Sequence, residues 1–239
     1  MFDSIAHFFF IILYQPLFNA LVLLYDYAPG HDFGIAIIFL TLIIRFILYP
    51  VSVKAVNSQK SLQKLQPKIQ EIQKKYKNDR EKQAKETLEL YKKEKINPFS
   101  GILISLIQIP ILIALYRVFW NGLNPEELSN LYQFVANPGQ LNPFFLSIID
   151  LSKPNIVMAL VAGVAQYFQS KMLIPGAKNN PKKEGDFSQI MQKQMVYFLP
   201  VFTVIILLGL PSALGLYWAA SGIFSMIQQY FILKKDAKS

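Results

Sequence analysis

The chain has 239 residues, 53% of them hydrophobic and only 16% charged, with a mean hydropathy of +0.31. A soluble domain carries about 25% charge, so this balance excludes an ordinary soluble fold. Zero cysteines exclude a disulfide scaffold, an iron–sulfur protein, a thiol enzyme and a Cys-built zinc site, and the two histidines, His7 and His31, are too few for a His-built metal centre. The net charge of +9 is clustered, which leaves apolar runs long enough to cross a bilayer.

The composition therefore predicts an all-α, polytopic membrane protein. Residues 1–33 form an N-terminal segment whose apolar run Ile5–Tyr25 is interrupted by Gln15-Pro16 and Asn19. It lacks the basic start and small-residue cleavage site of a signal peptide. Its interruptions point to an amphipathic helix lying in the interface, with a dip into the membrane as the alternative. Five spans follow at 34–53, 98–118, 155–175, 195–210 and 214–233. The last two are joined by the tight turn Leu210-Pro211-Ser212-Ala213 and must form an antiparallel hairpin.

Charge sets the orientation. Between Lys54 and Asn97 there are 13 Lys/Arg against 6 Asp/Glu, and the segment 176–194 and the tail 234–239 are also rich in lysine. The segment 1–33 has no Lys or Arg, and 119–154 has only Lys153. With five spans, every basic segment falls on one side, predicting an outside N-terminus and a cytoplasmic C-terminus. The cytoplasmic segment 54–97 reads as a helical hairpin. Leu62, Leu65, Ile69, Ile72 and Tyr76 recur at helical spacing, Asn78-Asp79 supplies the turn, and Leu88 and Tyr91 mark a second helix. Its charge fits a solvated face near anionic lipid or a dock for the ribosome or a targeting factor.

Arg45 is the one ionisable residue deep in a predicted span, about 12 Å from the cytoplasmic end at 1.5 Å per residue. No predicted span carries an Asp or Glu to pair with it. Such an Arg costs at least about 2.5–3.5 kcal/mol and usually faces a water-filled cavity, the alternative being satisfaction by backbone carbonyls and neighbouring side chains. Arg117, at the outer end of its span, is expected to snorkel. Uncharged polar residues gather in the cytoplasmic halves of the same helices: Thr41, Ser105, Gln108, Gln166 with Gln169 and Ser170, and Ser221 with Ser225 and Gln228. Singly, each is more often helix–helix glue. On four helices together they predict a hydrated cavity open to the cytoplasm and closed outward. No HExxH, Walker A loop, paired intramembrane aspartates or Ser–His dyad is available, so no enzyme is expected.

Several stretches resemble the YidC membrane protein insertases. Thr41-Leu-Ile-Ile-Arg45-Phe-Ile-Leu-Tyr-Pro50 and Leu65-Gln-Pro-Lys-Ile-Gln70 are similar to the family's first core span and hairpin start. Tyr91-Lys-Lys-Glu-Lys-Ile-Asn-Pro98, Gln108-Ile-Pro110 and Ala114-Leu-Tyr116 resemble its hairpin exit and second span, and Pro211-Ser-Ala-Leu-Gly-Leu-Tyr217-Trp218 with Gln228-Gln229 its last hairpin. The motifs run in family order from about Tyr14 to Leu233. The resemblance implies five core helices, N-out and C-in in a bacterial plasma membrane, around a hydrophilic groove whose arginine matches Arg45. The substrate groove would comprise Arg45, Thr41, Ser105, Gln108, Gln166, Gln169, Trp218, Ser221 and Gln228, with no cofactor or metal. It would receive nascent membrane proteins and release their spans to the lipid bilayer along apolar faces of the second and fifth helices, acting as insertase and chaperone. Further partners implied are the ribosome, the signal recognition particle pathway and the general secretion translocon, with no specific nucleic-acid sequence. The Gln15-Pro16-Leu-Phe18 region resembles the family's interfacial helix. The chain starts directly there and ends in a short tail, an expectation against an upstream domain and against stable ribosome binding. The rival readings are a small-solute or ion transporter, disfavoured by the lack of inverted repeats and coupling carboxylates, and an assembly subunit without insertion activity.

Overall fold

The structure, a computed structural model, describes residues 2–97, 100–122, 124–173 and 194–236. The basic loop predicted at 176–194 lies outside them but for its last residue, as does Pro98 at the hairpin exit. The described chain is helical, with one small ribbon. Helix α1 (Phe2–Phe9) passes through a π turn (Phe10–Tyr14) into α2 (Gln15–Tyr27). Then come α3 (Phe33–Ile47), α4 (Tyr49–Lys75), α5 (Arg80–Lys93) and α6 (Ser100–Asn121). A loop carries strands β1 (Phe144–Phe145) and β2 (Ile149–Asp150). After it follow α7 (Ile156–Leu173), a second π turn (Gln194–Phe198), α8 (Leu199–Leu207) and α9 (Ser212–Asp236).

Prolines account for the irregularities. Each π turn ends two residues before a proline, Pro16 and Pro200. A proline ring clashes with the carbonyl four residues back, and widening that turn relieves the clash. Pro50 instead starts a helix: it is the second residue of α4, a favoured position because no amide is needed there. The first predicted span, 34–53, is accordingly broken. Helix α3 ends at Ile47, and α4 leaves at a bend of 65°. Asn78-Asp79 makes the predicted hairpin turn, with Asp79 capping α5 through the Lys82 amide at 3.0 Å.

Contacts along the helices fix their directions. Arg45 and Ser52 meet Ser221 and Gln228, so α3 and the start of α4 run parallel to α9 in a constant register. Gly215 and Gly222 of α9 lie where a Cβ would meet Met158 at 3.2 Å and Ala165 at 3.1 Å, so α7 is parallel to α9 as well. These glycines let the two backbones approach closely. Gly163 against Val204 and Gln166 against Thr203 make α8 antiparallel to α7. The Phe33–Phe119 ring contact sets the end of α6 beside the start of α3. Helices α3, α7 and α9 thus run one way and α6 and α8 the other.

Length and apolarity alone select fewer helices than the sequence reading did. Among the described residues Ala6–Tyr27, with mean hydropathy 1.9, is long and apolar enough to cross a membrane, and α3 with α4 pass the same test only as a bent pair. Leu106–Asn121 and Val196–Leu207 are apolar but shorter, while Gln and Ser residues interrupt the apolar runs of α7 and α9.

The end of the bundle that holds the starts of α3, α7 and α9 is stapled by polar contacts. Buried Asn19 donates to the Gln15 and Asn130 carbonyls and accepts from the Tyr132 amide. Tyr14 donates to Glu127 at 2.7 Å, and the Tyr25 hydroxyl accepts from the Asn142 amide. The loop therefore follows α2 along three turns of helix. Asp32 caps α3 through the Ile35 amide at 2.9 Å, while its second oxygen accepts from the Leu146 amide. The turn into α9 is held by the Ser212 and Ala213 amides donating to the Lys153 and Leu151 carbonyls.

Because Asp32 serves both helix and loop, Asp32→Ala should cost about 1–2 kcal/mol, the upper range for losing an N-cap. Asp32→Asn, which keeps an acceptor for the cap, should recover much of that loss. Thermal unfolding of the three proteins in lipid nanodiscs measures the order.

Candidate functional site

The bend at Leu48 creates the site. Where α4 swings away from α3 it leaves a small recess of about 20 Å³ against α6, lined by Arg45, Leu48, Val51, Ser52, Ile107 and Gln108. Arg45, Leu48 and Ser52 recur at three- and four-residue steps and so share one face across the bend. Residues of α9 close the back. The Arg45 Nε donates to Ser221 Oγ at 2.8 Å, and Ser52 Oγ donates to Gln228 Oε1 at 2.8 Å. Gln108 donates to the Tyr217 hydroxyl.

Among the described residues no carboxylate reaches Arg45; the ion pairs there are Lys68–Glu94, Lys82–Asp79 and Lys153–Asp150. One neutral serine supports the guanidinium, and its two terminal nitrogens have no hydrogen-bond partner among the described residues. The recess thus offers a cation and spare donors beside apolar walls. Deeper polarity is incompletely met too. Gln228 Nε2 and Gln229 Oε1 are buried without a partner among the described residues, a costly state that specific polar contact relieves.

The remaining predicted groove residues divide. Thr41 is 1% exposed and returns its hydroxyl to the Ile37 carbonyl at 2.7 Å, so it is sealed in the helix rather than turned to the recess. Gln166 accepts from Thr203 in the α7–α8 seam, a helix–helix contact. Gln169 and Ser170 are half-buried on α7, outside the recess lining. Trp218 packs half-buried against the core. Ser225 is buried. The Ser105 side chain lies outside the described residues. Arg117, expected to snorkel, stands over the Phe9 ring at 5.5 Å, a cation–π contact. Ser52 and Tyr217 were not anticipated. The register of Ser52, seven residues beyond Arg45, was the available signal.

A helical bundle of alternating direction, with a lone cation in a recess at one end, defines a class of membrane-associated helical proteins built around a polar half-site. Comparison with known proteins sharpens this. The family model described as 60Kd inner membrane protein matches residues 23–239. Relatives named membrane protein insertase YidC match at 36% identity in Fusobacterium nucleatum, over 86% of this chain and 88% of the relative, and at 34% in Clostridium tetani, over 96% and 92%. One from Geobacter metallireducens is 36% identical over 95% of this chain, which spans only 38% of that longer relative. The chain belongs to the 60Kd inner membrane protein family, that of the YidC insertases.

The recess predicts a pattern of chemical access. With no native cysteine in the background, Cys at Gln108 or Ser52 should react with membrane-impermeant thiol reagents. Cys at Thr41, sealed from the recess, should react at least about tenfold more slowly, since local opening of even 1.4 kcal/mol imposes that factor. Equal rates at all three positions would refute the recess.

Proposed function

We propose that the protein is a membrane protein insertase and chaperone of the bacterial plasma membrane, working by lowering a desolvation barrier rather than by covalent chemistry. The observation that carries this reading is the Arg45 guanidinium lining a recess at the bend, with no carboxylate partner among the described residues. A polar segment entering a bilayer loses its water, and a charge at the bilayer centre costs at least about 2.5–3.5 kcal/mol. A polar recess shortens the apolar distance left to cross, and Arg45 stabilises negative charge partway. Partition of the incoming helix into lipid then completes the step without ATP.

In this reading α3, α6, α7, the α8 segment and α9 are the five spans. The lysine-rich segments lie in the cytoplasm and the Lys/Arg-poor loop 119–154 outside. Helix α2 lies in the outer interface: the loop tracks it through Tyr14, Asn19 and Tyr25, whereas a crossing helix would meet such a loop at one end only. Substrates are nascent membrane proteins. The hairpin 54–97 catches them, or the ribosome or targeting factor that brings them. Its looseness supports that role: no residue of α5 is buried, and its exposed Lys68–Glu94 pair, which holds the Glu94 carboxyl below its ordinary range, contributes little.

Purified protein alone in liposomes should insert a small single-span substrate. Arg45→Lys should retain much of that activity. Arg45→Ala should lose on the order of tenfold for acidic translocated segments, equivalent to about 1.4 kcal/mol of charge stabilisation, and less for neutral ones. Equal insertion of both by wild type and Arg45→Ala would overturn the role given to the cation. For the hairpin, hydrogen exchange across 60–92 should be far faster than in α3 or α9; equal protection would make it structural.

A further inference from the structure

The ribbon β1–β2 breaks the pattern of its surroundings. Its strands pair as Phe144 with Asp150 and Phe145 with Ile149. Phe145 and Ile149 pack on the bundle core, Phe145 so closely over Gly34 that a Cβ there would overlap its ring. A ribbon covering a core on one face ordinarily presents polar residues on the other. Here the only polar strand residue on the outer face is Asp150, at the base beside Phe144 and tied back to Ser152 and Lys153, while Phe144 and the turn residues Leu146 and Ile148 point outward, exposed by 40%, 58% and 79%. The turn adds a second anomaly. Leu146 and Ser147 have φ of 51° and 58°, and the Ile148 amide donates to the Phe145 carbonyl. That turn type is normally built from Asn and Gly, and an aliphatic residue in the left-handed region is strained. A strained position that nevertheless presents an apolar side chain points to a use for that side chain.

We propose that the outer face of this ribbon is a membrane-dipping finger that seats Phe144, Leu146 and Ile148 in the outer leaflet at the headgroup–acyl boundary. The occupant is lipid because the ribbon leads directly along the chain into an exposed apolar helix face. Eight residues beyond Ile148, Ile156 and Val157 are exposed at the start of α7, and Leu160 and Val164 continue the apolar stripe along that helix. The ribbon is also held rigidly enough to transmit a position. Leu146 is tied by its amide to Asp32 at the cap of α3, and the following Leu151 and Lys153 carbonyls hold the start of α9. The finger thereby fixes the depth of the α3, α7 and α9 starts in the bilayer. The inference rests on the reading that this end of the bundle faces outward in a membrane.

A single cysteine at Ile148, carrying a polarity-sensitive fluorophore, tests it in the full chain reconstituted in phosphatidylethanolamine–phosphatidylglycerol vesicles. A cysteine at the exposed Gln140 serves as control. At 148 the emission should shift to the blue, lipids spin-labelled near the headgroup should quench it, and aqueous iodide should quench it several-fold less than at 140. Iodide access at 148 equal to that at 140 would overturn the finger. Protection that disappears as protein is diluted into lipid would assign the face to a second copy, and protection only on adding substrate would assign it to polypeptide; either also overturns it. Insertion measured on the same vesicles separates the two readings. Insertion with a wet Ile148 sinks the finger alone, and a shielded Ile148 without insertion sinks the insertase reading alone.

Discussion

Among the described residues, a guanidinium set in apolar helices is satisfied without a carboxylate, and the bundle is arranged around how that is done. Arg45 there receives a single neutral partner, Ser221, on a helix 176 residues away in sequence. An ion pair would have closed the site, because a buried carboxylate beside the guanidinium consumes its donors and its charge together. A serine takes one N–H and leaves the formal charge intact. The bend at Leu48 then keeps that charge beside a recess rather than sealed in the core. Among the described residues, one nitrogen is supported and the two terminal ones keep their donors.

That support depends on register. Ser221 and Gln228 face Arg45 and Ser52 only because α9 runs parallel to α3 and α4 at constant offset. The offset in turn depends on small residues one layer behind. Gly215 and Gly222 let α7 press against α9, with Met158 and Ala165 filling the space where their Cβ atoms would stand. Seven residues separate the two glycines, two turns of helix, so both fall on one seam. A side chain at either would push α7 outward or rotate α9, moving Ser221 with it. The packing seam and the polar pair are therefore one constraint seen from two faces of α9.

Much of this was legible in the sequence, and the omissions have physical reasons. Apolar runs gave a chain that is mostly helical, Asn78-Asp79 gave the turn before α5, and Arg45, singled out by its isolation, lines the recess. A change of direction at Pro50 was legible from the proline itself; its place was not, because the span 34–53 ran through it, whereas the helix breaks at Leu48 and the proline sits in the first turn of the next helix. Ser52 was missed because a serine beside Lys54 looks solvated until the bend folds it back over α9. Thr41 and Gln166 were over-read, since helix periodicity assigns a face but not what that face meets. Thr41 satisfies itself on Ile37, and Gln166 pairs with Thr203 of a helix whose azimuth no pattern in α7 encodes. The ribbon was invisible because its outward residues are apolar and its turn lacks the Asn-Gly signal.

The two ends of the bundle differ in how completely their polar groups are met, and this gives the molecule a direction. At the end that carries the ribbon, Asn19 has three partners, Asp32 two, and the start of α9 is held by backbone bonds from the loop. At the opposite end Gln228 and Gln229 retain unmet buried atoms among the described residues, Arg45 keeps spare donors, and α5 buries nothing. Opening the first end breaks several satisfied bonds at once, each replaced by water at a net loss of about 0.5–1.5 kcal/mol. Opening the second exposes groups whose burial was already unfavourable, so water or an arriving polar chain recovers free energy there. Among the described residues, polar satisfaction thus falls from the ribbon end toward the cation end, so the free-energy cost of admitting water or a polar chain is lower beside Arg45 than beside Asp32.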